Sequence, residues 1–168
     1  MSDLLAKTRV LVHQRHMRDI VLILQNIRSL HNVGSLFRSA DVFGVKKMYL
    51  CGYTGTPPRS EIAKVALGAE TWIPWERASQ TYRVLERLRT EGYAIVALET
   101  GVPGVSIAEA TFPARVALIV GNEVRGITSP ILLRADTVVH IPLIGKKESL
   151  NVSVAAGVAL YALRCGKY

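Results

Sequence analysis

The 168-residue chain contains only two cysteines and has no long apolar run. Cys51 and Cys165 lie far apart and fit no metal-ligand spacing, so we expect reduced thiols, a cytoplasmic location and no metal. No apolar stretch approaches the roughly 20 residues of a membrane-spanning helix. The first residues also lack the pattern of a secretion signal. The sequence therefore predicts a protein without a membrane segment.

Acidic residues are also scarce, since 13 Asp and Glu stand against 21 Lys and Arg, which gives a formal net charge of +8. A positive charge of this size on a small domain favours a polyanionic partner, and nucleic acid is the commonest such partner. A merely basic soluble protein is the alternative that charge alone leaves open. The composition, 49% hydrophobic and 20% charged, is that of a folded domain. This length suits one domain with a real core.

Two phosphate-binding patterns are absent. The spacing G-x-x-x-x-G-K-[ST] does not occur, and no G-x-G-x-x-G follows the first apolar run. A nucleotide-hydrolysing enzyme and an ordinary dinucleotide-binding fold are therefore disfavoured.

Short apolar runs rich in β-branched residues alternate with helical patterns. Strands that are apolar throughout and separated by helices indicate an α/β fold, with a parallel sheet covered on both faces. The predicted strands are Ile20–Leu24, Lys47–Cys51, Tyr93–Leu98, Arg115–Val120 and Thr137–Ile141. The predicted helices are Val33–Phe43, Glu61–Leu67, Gln80–Thr90, Ile127–Arg134 and Leu150–Arg164.

The two ends of the chain have patterns of their own. Residues 1–18 form a basic segment with a predicted short helix at Leu4–Arg18, which either contacts phosphates or is a solvated cap on the core at 19–168. The last helix is apolar on nearly every face, so we expect it to be buried on all sides. That pattern indicates a subunit interface as well as a core. A central helix of a monomer is the alternative.

The first of three unusual polar segments, Gln25–Asp41, follows a strand and opens a helix. Asn32 is a good N-cap and is predicted to start that helix. Arg38 lies about two turns further on, beside an apolar stripe, so it must find an anion or a set of acceptors. A structural pairing with Asp41 or Glu123 is the alternative.

The second segment, Gly121–Gly126, follows the apolar run that ends at Val120. It therefore lies at the carboxyl edge of the predicted sheet, where open α/β sheets bind ligands. Glycine at both ends permits a sharp turn and a close approach to a ligand. Glu123 either accepts hydrogen bonds from a ligand or basic neighbour, or stabilises the start of the following helix.

The third segment, Ile141–Ser153, runs from a strand through Gly145, Lys146 and Lys147 into the last helix. Ser149 or Asn151 is the predicted N-cap of that helix. Solvation of the two lysines is the simplest interpretation of the turn.

Together and in this order, the three segments resemble the three motifs of the SpoU (TrmH-type) RNA 2′-O-ribose methyltransferases of the SPOUT superfamily. The resemblance runs from about residue 20 to 164. The matching residues are Asn26-Ile27-Arg28, Asn32-Val33-Gly34 and Phe37–Asp41 in the first motif, Ile119–Glu123 and Gly126 in the second, and Ile141-Pro142 and Ser149–Ser153 in the third.

The resemblance implies a parallel α/β sheet whose C-terminal part forms a deep trefoil knot, and a homodimer built through the C-terminal helix. The knot would form the pocket for S-adenosyl-L-methionine. The implied cofactor residues are Leu98, Glu99, Thr100, Gly121, Asn122, Ile141, Leu143 and Leu150. The implied catalytic residues are Arg38, with Asn32 and Glu123 as its neighbours, and Ser149 and Asn151.

The implied reaction is methyl transfer from S-adenosylmethionine to a ribose 2′-hydroxyl of tRNA or rRNA, without a metal. Arg38 is then either the proton acceptor or an electrostatic clamp, the latter because a guanidinium strongly resists deprotonation. Two alternatives stay open at this point. One is a catalytically silent RNA-binding or assembly protein with this fold, and the other is a SPOUT enzyme that methylates a base.

Overall fold

The computed structural model describes residues 17–166. Within them one parallel sheet has the strand order β3-β2-β1-β6-β4-β7-β5. The strands are β1 (Asp19–Gln25), β2 (Lys47–Cys51), β3 (Trp75–Ala78), β4 (Ala94–Leu98), β5 (Val105–Ser106), β6 (Arg115–Val120) and β7 (Thr137–His140). The helices are α1 (Leu30–Val42), α2 (Ser60–Ala66), α3 (Ala69–Trp72), α4 (Thr81–Thr90), α5 (Ser129–Leu132) and α6 (Val152–Cys165).

The predicted α/β class with a parallel sheet is confirmed, and each strand and helix predicted from Ile20 onward has a counterpart. The sequence analysis missed β3, β5 and α3. β3 lies at the edge of the sheet and pairs with β2. It is partly exposed and contains Glu76 and Arg77, so it lacks the apolar run of a central strand. β5 is only two residues long and gives no periodic signal.

The sheet separates two hydrophobic cores, and β1 contributes to both by strict alternation. Leu22 and Leu24 face the core beneath α1, α2 and α6, whereas Val21 and Ile23 face the core beneath α4 and α5. Successive strand residues point to opposite faces, so a strand covered on both faces is apolar at every position. This burial explains why the central strands were easy to predict.

Helix α6 is buried on one face only, so the expectation of burial on all sides is wrong for the single chain. Ala156, Ala159, Leu160 and Leu163 are buried against the core. Val154, Val158 and Tyr161 are 52%, 41% and 59% exposed on the outer face. α6 packs on α1 in the outer layer of the fold, so it is not a central helix either.

Most of the predicted basic helix at Leu4–Arg18 lies outside the described residues. Arg18 is described and is buried, and its guanidinium donates to the carbonyl oxygens of Phe112, Leu163 and Gly166. It therefore packs the core and does not present its charge to a phosphate. Within residues 17–166, no helix is both long and apolar enough to cross a membrane.

Both cysteines are free thiols. Burial raises the pKa of the Cys51 thiol to about 12. A thiol held protonated in this way is a poor nucleophile. Cys51, at the end of β2, therefore packs in the hydrophobic core.

Candidate active site at the carboxyl edge of the sheet

The carboxyl ends of β4 and β6 open onto a pocket of about 150 Å³, closed on one side by the segment that leads into α6. All eight residues that the resemblance implied for the cofactor line this pocket, together with Glu123 and Ser149. The lining residues are Leu98, Glu99, Thr100, Val120, Gly121, Asn122, Glu123, Val124, Gly126, Ile141, Leu143, Ser149, Leu150, Val152 and Ala155. Three segments far apart in sequence therefore meet at one edge of the sheet.

The loop between Gly121 and Gly126 is a tight turn closed by two backbone hydrogen bonds. Asn122 N donates to Gly126 O at 3.1 Å, and Gly126 N donates to Asn122 O at 2.9 Å. A side chain at Gly121 would lie 2.3 Å from the backbone of Gly126. Gly126 adopts φ +66°, and a side chain there would meet the Glu99 carboxylate at 2.3 Å. Both glycines are therefore required by close approach.

The Asn122 side chain forms four hydrogen bonds, all with other groups of the protein. Its Nδ2 donates to Asn26 O at 2.9 Å and to the Tyr53 hydroxyl at 3.0 Å. Its Oδ1 accepts from the backbone N–H groups of Val124 and Arg125, both at 2.9 Å. An amide has two donors and two acceptor sites. Asn122 therefore shapes the loop and is left with van der Waals contact toward a ligand.

Glu99 has a similar shaping role. One carboxylate oxygen accepts from Ile127 N at 2.6 Å, and the other accepts from Thr100 N at 2.9 Å. These bonds tie the end of β4 to the far side of the glycine loop. Glu99 therefore fixes the separation of two pocket walls.

A hydrogen-bonded chain of three side chains joins the three motifs. Asn151 Nδ2 donates to Asn32 Oδ1 at 3.1 Å, and Asn32 Nδ2 donates to Glu123 at 2.9 Å. Glu123 also accepts from the backbone N–H groups of Arg28 at 2.9 Å and Ser29 at 3.0 Å. The first, second and third motifs therefore meet through Asn32, Glu123 and Asn151.

The ionisation of Glu123 follows from these contacts. Burial raises the pKa of its carboxyl group, but the hydrogen bonds from Arg28, Asn32 and Ser29 outweigh burial, and the net pKa is lowered. Glu123 is thus held as a carboxylate at neutral pH. It lies at the start of α1, not at the start of the helix that follows it in sequence.

The predicted N-cap Asn32 is wrong, because α1 begins at Leu30, three residues before the predicted start at Val33. Ser29 is the cap, and its hydroxyl accepts from Asn32 N at 3.3 Å. Ser29 accepts from a backbone N–H group in the first turn of α1 that would otherwise lack a partner. The side-chain amide of Asn32 is therefore available for hydrogen bonds in the site. At α6 the predicted cap Asn151 is confirmed, since its Oδ1 accepts from Ser153 N at 2.8 Å.

Arg38 is exposed on α1 and makes no hydrogen bond or ion pair with any residue in the range 17–166. The alternative of a structural pairing with Asp41 or Glu123 is not seen among residues 17–166: Asp41 accepts from Trp72 Nε1 at 2.9 Å, and Glu123 is engaged as described above. The structure therefore does not bring Arg38 into the Glu123–Asn32–Asn151 chain. It leaves a guanidinium available to an external anion.

Within the described residues, this edge has neither a group of metal ligands nor a hydrogen bond to Lys146 or Lys147. In the part of the chain that the structure covers, no three His, Cys, Asp or Glu side chains are grouped as metal ligands would be. Lys146 and Lys147 are exposed, in agreement with the solvated turn that the sequence indicated.

The sequence model of the SpoU rRNA Methylase family matches residues 19–161, which include all three motifs and the whole sheet. The chain belongs to this family. The prediction of a SpoU-type RNA methylase is thereby confirmed at the level of the family.

Individual relatives agree with this membership. The SpoU-family chain is 30% identical to the tRNA (guanosine(18)-2′-O)-methyltransferase of Aquifex aeolicus, over 89% of the chain and 71% of that protein. It is 32% identical to the 23S rRNA (guanosine-2′-O-)-methyltransferase RlmB of Coxiella burnetii, over 92% of the chain and 61% of that protein.

A solved structure also has the same fold. The AdoMet-bound rRNA methyltransferase of Sinorhizobium meliloti superposes with a TM-score of 0.81 at 27% identity, over 86% of the chain and 55% of that protein. The SpoU-family chain thus spans between 55% and 71% of the length of these three relatives.

Several residues of the site escaped the sequence analysis. Tyr53 joins it through the Asn122 bond, and Val124, Val152 and Ala155 line the pocket. Tyr53 lies between β2 and α2, outside all three motifs. Only the folding of that loop onto Asn26 brings it to the site.

Proposed function

We propose that this SpoU-family chain transfers a methyl group from S-adenosyl-L-methionine to a ribose 2′-hydroxyl of tRNA or rRNA. The observation that carries the proposal is a pocket formed by the second and third motifs together with residues 98–100, bordered by the Glu123–Asn32–Asn151 chain, which joins the first motif to it. Two relatives are named for 2′-O-methylation of RNA, and a third is described with AdoMet bound. The basic charge of the chain suits an RNA substrate.

The pocket has the chemical character that an adenosine cofactor needs. Leu98, Ile141 and Leu150 supply apolar surface for a flat ring, and the narrow glycine loop lets backbone atoms approach it. Thr100 and Gly121 complete the polar edge. Asn122 and Glu99 hold the glycine loop in place, and Leu143 adds apolar surface to the pocket wall. All eight implied residues therefore have a role in the proposed cofactor site.

When bound, S-adenosylmethionine supplies a methyl group on a sulfonium sulfur, which is already a strong methyl donor. The protein must align the ribose oxygen in line with the methyl carbon and dispose of the hydroxyl proton. On transfer the 2′-oxygen would gain the methyl group, the thioether product would leave, and the hydroxyl proton would pass to solvent water.

Arg38 is the proposed catalytic residue. Because its guanidinium has no partner among the described residues, it can hold the 2′-oxygen or the adjacent phosphate and stabilise the developing alkoxide. Such a clamp needs no deprotonation, which a guanidinium resists. Ser149 adds a hydroxyl group to the wall of the pocket. Asn32, Glu123 and Asn151 hold the three motifs in register as positioning residues.

We further propose that residues 19–168 form a single knotted core and that two chains associate through α6. The position of β6 between β1 and β4, and the return of the chain from β7 to pack α6 on α1, support a threaded segment 141–151. The exposed apolar face of α6 supports the dimer. A cytoplasmic location stays a prediction.

The decisive test is transfer of labelled methyl from S-adenosylmethionine to total tRNA and, separately, to unmodified rRNA. The product is digested to nucleosides and identified. Wild type is compared with Arg38→Ala and with a matched control, Arg77→Ala, whose arginine is also exposed and unpaired within the described residues. We expect a 2′-O-methylnucleoside, a loss of about 10²-fold or more in turnover for Arg38→Ala, and unchanged cofactor affinity in both variants.

The other outcomes are equally informative. A methylated base would replace the proposal with the base-methylating alternative. Cofactor binding without transfer to either RNA class would favour the silent RNA-binding protein. Full turnover by Arg38→Ala would remove that residue from the catalytic set and leave the reaction standing.

A further inference from the structure

Three loops beside the pocket are joined by hydrogen bonds into one surface, of which only the glycine loop lines the pocket. We call this surface the rim, and it comprises residues 26–29, 52–55 and 121–126. Ile27 N donates to Thr54 Oγ1 at 3.0 Å, and Tyr53 N donates to Asn26 Oδ1 at 3.3 Å. The Asn122 amide joins both loops to the glycine loop. The rim is therefore a preorganised part of the fold.

Tyr53 is the aromatic residue of the rim, and its side chain is 60% exposed. Its hydroxyl is held 3.0 Å from Asn122 Nδ2. Among the described residues, no other ring or guanidinium lies against it. An anchored hydroxyl with an open ring gives a flat apolar surface that loses little conformational entropy on binding.

Arg28 and Arg125 place two positive charges on the same rim. Their backbone N–H groups donate to Glu123 and Asn122, which fixes both residues beside the pocket. Both side chains are exposed, and neither forms an ion pair with a residue in the described range. The rim therefore combines one open aromatic face with two available guanidinium groups.

We propose that Tyr53 is a stacking platform for a base of single-stranded RNA, whose phosphates are held by Arg28 and Arg125. This inference rests on the proposed function, since it specifies the RNA that the site accepts. In duplex RNA the bases are already stacked on one another, whereas an unpaired base in a loop is free to stack on an aromatic ring. The rim shares Asn122 and Glu123 with the pocket, so the stacked base belongs to the unpaired segment that carries the target ribose.

The test measures binding of a fluorescein-labelled 12-nucleotide RNA without self-complementarity, and of the same strand in a duplex with its complement. The proteins are wild type, Tyr53→Leu, Tyr53→Phe and the control Tyr82→Leu. Two arginines already lie near the ring of Tyr82, with Arg83 and Arg134 at 5.9 Å and 6.0 Å from its centroid, so it is not an open platform.

We expect wild type to prefer the single strand. Tyr53→Leu should weaken single-strand binding by about 5- to 100-fold, the range found for one base on one ring. Tyr53→Phe keeps the ring and loses only the hydroxyl anchor, so it should retain most of the single-strand affinity, whereas Tyr82→Leu should bind like wild type. Equal single-strand affinity in Tyr53→Leu and wild type would overturn the proposal, as would an equal loss in Tyr82→Leu.

Cofactor affinity separates stacking from a merely structural role. If Tyr53 only held Asn122 in place, Tyr53→Phe would lose as much RNA affinity as Tyr53→Leu, and binding of S-adenosylmethionine would weaken in both. That pattern would overturn the platform. The binding measurement requires no methyl transfer, so its result is distinguishable from failure of the proposed reaction.

Discussion

Glu123 shows how one side chain can join separate segments of the chain at a site. Its carboxylate accepts from two backbone N–H groups that precede α1 and from the amide of Asn32. Hydrogen bonds to an ionised acceptor are stronger than those between neutral groups. A neutral side chain at this position would leave donors at the start of α1 poorly satisfied, next to the pocket.

We predict that Glu123→Gln lowers the free energy of unfolding by about 1–2 kcal/mol at pH 7, since a charge-assisted hydrogen bond is lost. The pKa of Glu123 is lowered on folding, because the hydrogen bonds to it outweigh burial. The stabilisation by its charge is therefore fully present above the unfolded pKa of about 4.3 and disappears as pH falls through the folded pKa. Urea unfolding at several pH values measures this difference.

The control for this measurement is Glu86→Gln, because Glu86 is exposed on α4 and has no hydrogen bond to a described residue. Its stability should differ little from wild type at any pH. A difference between wild type and Glu123→Gln that stays constant down to pH 3 would contradict the assigned role of the charge.

Among the elements, α1 and α2 pack so closely that a glycine is required between them. A side chain built at Gly34 would lie 2.6 Å from the carbonyl oxygen of Ile62 and 2.9 Å from the Cβ of Val65. The first obstacle is backbone, so the helices would have to move apart. α1 carries both Asn32 and Arg38, and its placement therefore governs the site.

We predict that Gly34→Ala destabilises the protein by about 1–3 kcal/mol through this overpacking, although alanine is the better helix former by roughly 1 kcal/mol. Thermal or urea unfolding measures the effect. The matched substitution Gly145→Ala should be nearly neutral, because a methyl group there meets no atom within 4 Å. Equal stability of Gly34→Ala and wild type would show that α1 and α2 separate without cost.

At the scale of the whole molecule, the outer face of α6 leaves Val154, Val158 and Tyr161 exposed along one stripe. An apolar stripe of this kind on an outer helix is suited to a symmetric contact with a second copy of the chain. The sequence analysis inferred an interface from an apolar helix. The exposed stripe supplies the surface that such an interface would cover.

We predict that the wild-type chain sediments at twice its mass of 18.4 kDa and that Val158→Asp sediments as a monomer. A buried, unpaired carboxylate at the interface is the physical reason. Leu133→Asp is the control, since Leu133 is 86% exposed on the opposite side of the sheet from α6 and should leave the mass unchanged. A monomeric wild type would rule out the dimer.

The net charge of +8 leads to a prediction about RNA binding by the molecule as a whole. Affinity for single-stranded RNA should fall linearly on a log–log plot against KCl, with a slope of about 0.7 per phosphate contact. Arg28→Ala should reduce the slope by about 0.7, whereas Arg77→Ala at the β3 edge should not change it. Fluorescence titrations between 50 and 200 mM KCl measure the slopes, and a salt-independent affinity would contradict phosphate-led binding.

Different parts of the fold were predictable to different degrees. Central strands such as β1 and β6 are apolar at every position except their ends, because both faces are covered, so the apolar runs located them. The edge strands β3 and β5 lie on the border of the sheet and have no such signal. Similarly, Asn151 was predictable as a cap from local chemistry, whereas the choice of Ser29 over Asn32 depended on where Glu123 lies.

The sequence by itself determined the α/β class, the central strands, the three motifs and the family, because these depend on local periodicity and on residue order. Only the tertiary structure decided that Asn32 bonds to Glu123 and Asn151, that Asn122 and Glu99 hold loops, that Arg38 is unpaired within the described residues and that Tyr53 belongs to the site. These contacts join residues up to 119 positions apart. No local pattern encodes such distances, because they are set by the way the sheet gathers its loops at one edge.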